Sequence, residues 1–137
     1  MPELTRIGEI HRKTGETEIL VKVELDGTGS YQIDTPIPFL SHMLTLLSVH
    51  SLCNLKVTAQ GDIDVDDHHT VEDIGICLGE SIKMALQDKK GINRYGEATV
   101  PMDESLARVV LDLSGRPYMV YNVKIEREKV GDLASEN

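Results

Sequence analysis

Two adjacent histidines and a glutamate, His68, His69 and Glu72, follow an acidic run of Asp62, Asp64, Asp66 and Asp67. On a helix, residues four apart share a face, so His68 and Glu72 can grip one cation together. His69 projects about 100° further around the axis and would serve a different cation. Imidazole nitrogen paired with carboxylate suits a divalent metal such as Mn, Fe or Zn, and the lack of a Cys ligand leans away from a thiolate zinc site. The competing account is the solvated first turn of a helix. The upstream aspartates favour the metal reading, as acceptors for the imidazole N–H groups.

Other residues carry weaker signals. His42 sits in an otherwise apolar segment, where a lone histidine is more often a satisfied core residue than a ligand. His50 lies eight positions on, near the end of the same segment, where a helix dipole also favours a cation. Glu16 is an acid at a strand start. Arg94 (G-I-N-R-Y-G) and Arg116 (S-G-R-P-Y) occupy turns beside glycine, a placement that can present a guanidinium bidentately to phosphate or carboxylate. Asp103, between Met102 and Glu104, has no meaning by spacing alone. Cys53 and Cys77 lie among apolar neighbours and read as inert thiols. No Walker loop, dinucleotide fingerprint or serine elbow occurs.

These side chains need elements to position them. Glu16 to Glu24 alternates and is rich in β-branched residues, which predicts a strand. Asp26-Gly27-Thr28-Gly29 predicts a tight hairpin turn, with Ser30 to Asp34 returning as the partner strand. Phe39 to His50 places Phe39, Met43, Leu46 and Leu47 at helical spacing and predicts a helix burying that face. Leu55 to Ala59 reads as a short strand. The stripe Val71, Ile74, Gly75, Leu78, Ile82 and Ala85 predicts the longest helix, running to Gln87 with Asp66 or Asp67 as its N-cap. Glu104 to Leu113 and Tyr118 to Ile125 read as strands joined by a turn at Ser114 to Pro117. Glu126 to Asn137 reads as a charged tail.

Composition bounds the class. The 137 residues hold 14 Lys plus Arg against 23 Asp plus Glu, a formal net charge of −9, which argues against nucleic-acid affinity. No apolar run approaches the ~20 residues of a membrane helix, and Met1 to Glu9 lacks the apolar stretch of a leader. Two cysteines without a CxxC fit a reducing, cytosol-like compartment rather than a disulfide scaffold. With no Trp and one Phe, the core must close with Val, Ile, Leu and Met, and partner subunits are expected to complete some of it.

Aligning the two strand segments at an offset of 88 points to an internal repeat, the plainer account being two similar hairpins. Val21 then meets Val109, Leu25 meets Leu113 and Gly27 meets Gly115. On this reading residues 1–89 form a first repeat and 90–137 the beginning of a second. No second copy of the histidine pair falls within the chain.

The ordered set R-K-T-G-E-T, F-L-S-H-M-L, D-D-H-H-T-V-E-D-I-G-I-C-L-G, G-I-N-R-Y-G, P-M-D-E and D-L-S-G-R-P-Y closely resembles the imidazoleglycerol-phosphate dehydratase family of histidine biosynthesis. The resemblance implies an α/β fold of two duplicated halves, each a mostly antiparallel sheet with two helices on one face. It implies a cytoplasmic homo-oligomer, typically of 24 subunits, with two manganese ions per active site at subunit contacts; Fe or Zn would suit the same donors. The substrate would be a small phosphate ester, with no nucleic acid or membrane partner. By motif, His42, His68, His69 and Glu72 match metal ligands. Glu16, His50 and Asp103 match catalytic positions, and Arg94 and Arg116 match phosphate-binding arginines. The implied reaction removes water from imidazole glycerol phosphate to give imidazole acetol phosphate.

Where the family usually reads G-I-G-F-L-D-H-M, this chain reads Pro36-Ile37-Pro38-Phe39-Leu40-Ser41-His42-Met43, so Ser41 replaces an acid beside a ligand. The family's second H-H-x-x-E, a further ligand histidine and a phosphate-binding lysine match no residue here. The alternative expectation is therefore a non-catalytic, truncated subunit that binds metal and serves only in assembly. A generic metal hydrolase built on His68 and Glu72 would have no use for the Glu16, Arg94 and Arg116 motifs.

Overall fold

The computed structural model describes residues 5–137; residues 1–4, part of the Met1 to Glu9 stretch expected to lack a leader's apolar run, lie outside them. Ten elements follow in order: β1 (Ile7–Lys13), β2 (Thr17–Glu24), β3 (Tyr31–Asp34), α1 (Pro38–Ser51), β4 (Asn54–Gly61), α2 (His68–Leu86), β5 (Tyr95–Met102), β6 (Ser105–Asp112), β7 (Lys129–Val130) and β8 (Leu133–Ala134). They fall into two compact units, one of Met1–Gln87 with Ile125–Asn137 and one of Asp88–Lys124.

The first unit is a four-stranded sheet in the order β1-β2-β4-β3, antiparallel except for the β3–β4 pair. Alternation with a period of two turns Ile19, Val21 and Val23 of β2, and Leu55, Val57 and Ala59 of β4, to the same face. Leu44 of α1 and Ile74 and Cys77 of α2 close that face into one cluster, so both helices lie on one side of the sheet. This is the expected mixed α/β arrangement. Contact between β1 and α2 is close enough to require glycine. A Cβ at Gly8 would stand 1.9 Å from the Ser81 carbonyl oxygen.

Several expectations are corrected here. Ser30 to Asp34 does not return against β2, because β4 lies between them. The longer, more apolar β4 takes the central position and leaves the short, exposed β3 at the edge. At the turn, the Asn54 side-chain oxygen accepts hydrogen bonds from the backbone N–H groups of Thr28 (2.9 Å) and Ser30 (3.0 Å), so the loop is built on β4. The hairpin partner of β2 is instead β1, with β4 on its other side.

Helix α1 also rolls differently from expectation. It buries Leu44 and Ser48, while Met43, Leu46 and Leu47 stay exposed. Leu40, Leu44 and Ser48 form an i, i+4, i+8 stripe, and the Ser48 hydroxyl donates to the Cys53 carbonyl (2.7 Å), with the Ser30 carbonyl a second acceptor within reach at 3.1 Å. A polar residue therefore anchors the buried face. Helix α2 follows its predicted span, but its inward stripe includes Thr70, Asp73 and Ser81, and Gly75 is exposed.

In the second unit β5 and β6 form one antiparallel hairpin, from Tyr95↔Asp112 to Met102↔Ser105, exposed along its whole length. Tyr118 to Ile125 forms no strand; its apolar side chains are exposed and no strand pairs with it among the described residues. The tail is more ordered than expected. Strands β7 and β8 make a small hairpin docked on the first unit, where Asp132 Oδ1 accepts the Phe39 N–H (2.9 Å) and Asp67 Oδ2 accepts the Ala134 N–H (2.7 Å).

Candidate active site at the head of helix α2

Strands β3 and β4 run parallel and each feeds a helix, so the N-termini of α1 and α2 lie at the same end of the sheet. The β1–β2 turn, which carries Glu16, lies at that end too, because Thr17 pairs with Gly61 where β4 finishes. Gly61 allows the first turn of α2 to approach. A Cβ there would fall 2.0 Å from the Thr70 hydroxyl, and Thr70 is fully buried.

The acidic run divides its work among four residues. Asp62 Oδ2 stands 3.0 Å from His69 Nδ1, so its carboxylate accepts the ring N–H and leaves Nε2 free to bind a metal. Asp66 Oδ1 accepts the backbone N–H of His68 at 3.0 Å. Asp67 occupies the N-cap position without making the expected side-chain cap. Its backbone is already helical, and its carboxylate holds Ala134 instead. Burial alone would raise the Asp67 pKa, but the hydrogen bonds from Ala134 and Asn137 prevail and lower it. Asp64 is exposed.

His68 repeats the pattern of His69. Its Nδ1 lies 3.1 Å from Asn137 Oδ1, and its Nε2 faces Glu72 Oε2 at 3.5 Å, both side chains being more than half exposed. The two imidazoles are 5.7 Å apart between centroids and inclined at 65°. Two outward donor positions result: His68 with Glu72, and His69 by itself. The hydrogen bond that His69 donates to Asp62 raises the His69 pKa despite some desolvation, and the charges of Glu16 and Asp66 add to the rise. Glu16 is thus within electrostatic reach of His69.

The remaining candidates do not join this group. His42 is exposed in the second turn of α1, and among the described residues no three His, Cys, Asp or Glu side chains gather into a metal site. The donor chemistry fits a divalent metal, with fewer donors at each position than such an ion takes. Ser41, the departure beside His42, bonds its hydroxyl to that of Thr35 at 2.8 Å and ties the start of α1 to the preceding loop. His50 is exposed in the last turn of α1, at the far end of that helix.

In the second unit, Arg94 is clamped by Asp112 through Nε to Oδ1 (2.7 Å) and Nη2 to Oδ2 (3.1 Å), with its guanidinium 4.9 Å from the centre of the Tyr95 ring. The Arg94 hydrogen bonds hold the Asp112 carboxyl below its usual pKa, and Arg116 adds to the effect. Asp103 sits in the turn at the opposite end of this hairpin, with a left-handed φ of 50°. The sequence reading singled out neither Asp112 nor Asn137. It grouped Asp62 with its neighbours, because nothing local tells which aspartate reaches a ring.

A sequence profile described as imidazoleglycerol-phosphate dehydratase matches residues 35–137. The chain is similar to the protein of that name from Syntrophomonas wolfei, with 75% identity over 132 residues, 96% of this chain and 67% of that protein. It is 57% identical to the one from Geobacter sulfurreducens, over 97% of this chain and 68% of that protein. The crystal structure of the Staphylococcus aureus dehydratase matches with a TM-score of 0.82 and 42% identity, covering 95% of this chain and 71% of that one. The chain therefore spans about two thirds of the curated relatives it matches. These relatives bear an enzyme's name, and none of the likenesses favours the non-catalytic alternative. Among the described residues no helix is long and apolar enough to cross a membrane.

Proposed function

The chain belongs to the imidazoleglycerol-phosphate dehydratase family, lyases of histidine biosynthesis, and on that premise we propose that it contributes to a manganese-dependent site converting imidazole glycerol phosphate to imidazole acetol phosphate. In this reaction hydroxide leaves the carbon attached to the imidazole ring and a proton leaves the neighbouring carbon. The resulting enol rearranges to the ketone, so one water is lost in total. The carbon-bound proton is barely acidic. We assign its removal to Glu16, an exposed carboxylate of the β1–β2 turn at the same end of the sheet as the head of α2.

His68 with Glu72, His69, and His42 from α1 are the residues that would hold manganese. When bound, the metal supplies positive charge that favours the anionic form of the substrate's ring. The observation that carries this reading is the pair of outward Nε2 atoms, each backed by an acceptor on Nδ1. An acceptor on Nδ1 favours the tautomer whose Nε2 can bind a metal, in a protein whose net charge is −9. Metals and arginines would then set the local sign for a phosphate ester.

The placement of the other residues supports a site shared between copies of the chain. Arg94 adjoins one end of the β5–β6 hairpin and Asp103 lies at the other, about 23 Å away for seven strand steps. One small substrate cannot span that distance. His50 is likewise at the far end of α1 from the head of α2. We therefore assign Arg94 and Arg116 to the phosphate, and Asp103 and His50 to the reacting part of the substrate, within a cytoplasmic homo-oligomer of about 24 subunits. Replacement of Glu16 by Gln tests the chemistry, with ketone formation followed by NMR. The expected loss in kcat is about 10³-fold, and wild-type turnover by E16Q would overturn the assignment.

A further inference from the structure

The most deeply seated charge near the head of α2 belongs to none of the residues assigned above. Asp73 is 8% exposed and follows Glu72 directly, one helical turn after His69. A buried carboxylate is costly unless it is paired and hydrogen-bonded, and Asp73 has both kinds of partner. Arg12 of β1 donates Nε–H to Oδ1 at 3.0 Å, and the Thr17 hydroxyl of β2 donates to Oδ2 through a short hydrogen bond.

The second of these bonds fixes the direction of a longer chain. Thr17 has one hydroxyl proton, and it is committed to Asp73. In the 3.1 Å contact between the Thr14 and Thr17 hydroxyls, Thr14 must then be the donor. Thr14 Oγ1 in turn accepts the backbone N–H groups of Glu16 (3.2 Å) and Thr17 (3.0 Å). The result is a polarised run from the Asp73 carboxylate through Thr17 and Thr14 to the main chain of Glu16. A β1–β2 turn could close without any link to α2. The link adds a fixed relation between the turn bearing Glu16 and the helix bearing His69 and Glu72.

We propose that Asp73 is a positioning residue, acting through Thr17 and Thr14 to hold Glu16 at the distance from the α2 head that proton transfer requires. This deepens the function proposed above and rests on it. Displacement of a reacting group by about 1 Å costs up to about 10²-fold in rate, so severing the run should act on kcat.

The test uses Thr17→Val, which removes the hydroxyl while keeping the volume, in the manganese-loaded holoenzyme, beside Thr17→Ser, which restores it. Thr17→Val is expected to lower kcat about tenfold or more with KM and manganese affinity within about twofold, while Thr17→Ser stays within about threefold of wild type. Amide exchange at Glu16 and Thr17 should quicken about tenfold in Thr17→Val. Three outcomes would overturn the proposal: equal kcat in all three proteins, equal losses in both variants, or a loss seen only in KM or in metal affinity. Glu16→Gln is run alongside. If it keeps full activity, both this inference and the role of Glu16 fall; if it is inactive while Thr17→Val matches wild type, only this inference falls.

Discussion

Shifted by 88 residues, the β1–β2 hairpin maps onto β5–β6 in register: Ile7↔Glu24 becomes Tyr95↔Asp112, and Lys13↔Glu18 becomes Pro101↔Leu106. Even a bond beyond the strands repeats, with Leu25 N–H donating to the Arg6 carbonyl at 3.0 Å and Leu113 N–H to that of Arg94 at 2.9 Å. The surroundings differ completely. Val21 is fully buried under α2 and beside β4, whereas its counterpart Val109 is 56% exposed. Glu24 binds the Asn54 amide at the start of β4, whereas its counterpart Asp112 clamps Arg94. One strand programme therefore builds the hairpin twice, and among the described residues β4 and α2 are laid upon the first copy. In the first unit the hairpin turn brings Glu16, and the β4–α2 connection brings the histidines, to the same end of the sheet.

The largest expected effect comes from the closest approach. Gly8→Val should destabilise the protein by about 3 kcal/mol, because its side chain would displace the Ser81 backbone. Gly96→Val, where an added Cβ meets nothing within 4 Å, should change stability by less than about 0.5 kcal/mol. Urea unfolding of both variants compares them, and equal losses would break the contrast. Next in size, Val21→Ala should cost about 2 kcal/mol by the same measurement and Val109→Ala about 0.5 kcal/mol or less.

A site-level contrast follows. Asp62→Ala frees the Nδ1 side of His69 and should weaken manganese binding about tenfold or more, measured by titration calorimetry, with little change in melting temperature. Asp64→Ala, in the same loop but exposed, should leave metal affinity within about twofold.

The smallest effect concerns pH. Hydrogen bonds from Arg6 and Arg94 lower the pKa of Asp26 and Asp112 respectively. A carboxylate with a depressed folded pKa contributes stability above its unfolded value, near 3.9, and loses it as pH falls through the folded one. Melting temperatures should thus fall slightly more steeply below about pH 4 in wild type than in Asp112→Asn. Both pairs are exposed, so the difference should be small.

Short-range patterns were the legible part. The span of α2, the shared face of His68 and Glu72 and strand β2 all depend on periodicity or spacing within a few turns, and the 88-residue offset depends on matching two such local patterns. Long-range choices were not legible. Insertion of β4 between β2 and β3 depends on which strand has more apolar surface to bury, and the Asp-Gly pair suggested a hairpin that Asn54 pre-empts. The roll of α1 turned on Ser48, a polar residue whose buried partners are carbonyls of two loops. Strand β1 was passed over because its outer face carries Glu9, His11 and Lys13. Within the site, Asp62 and Asp73 gain their meaning from His69 and Thr17, contacts that only the folded chain creates.

Manganese binding at the head of α2 is the step of the proposed dehydration on which every other assigned role depends. The most direct test is turnover of imidazole glycerol phosphate by mass-verified protein stripped with chelator and then titrated with manganese. Activity should be lost on stripping, return with manganese in the wild type, and not return in His69→Ala. Undiminished turnover by the metal-free protein would contradict that role for manganese.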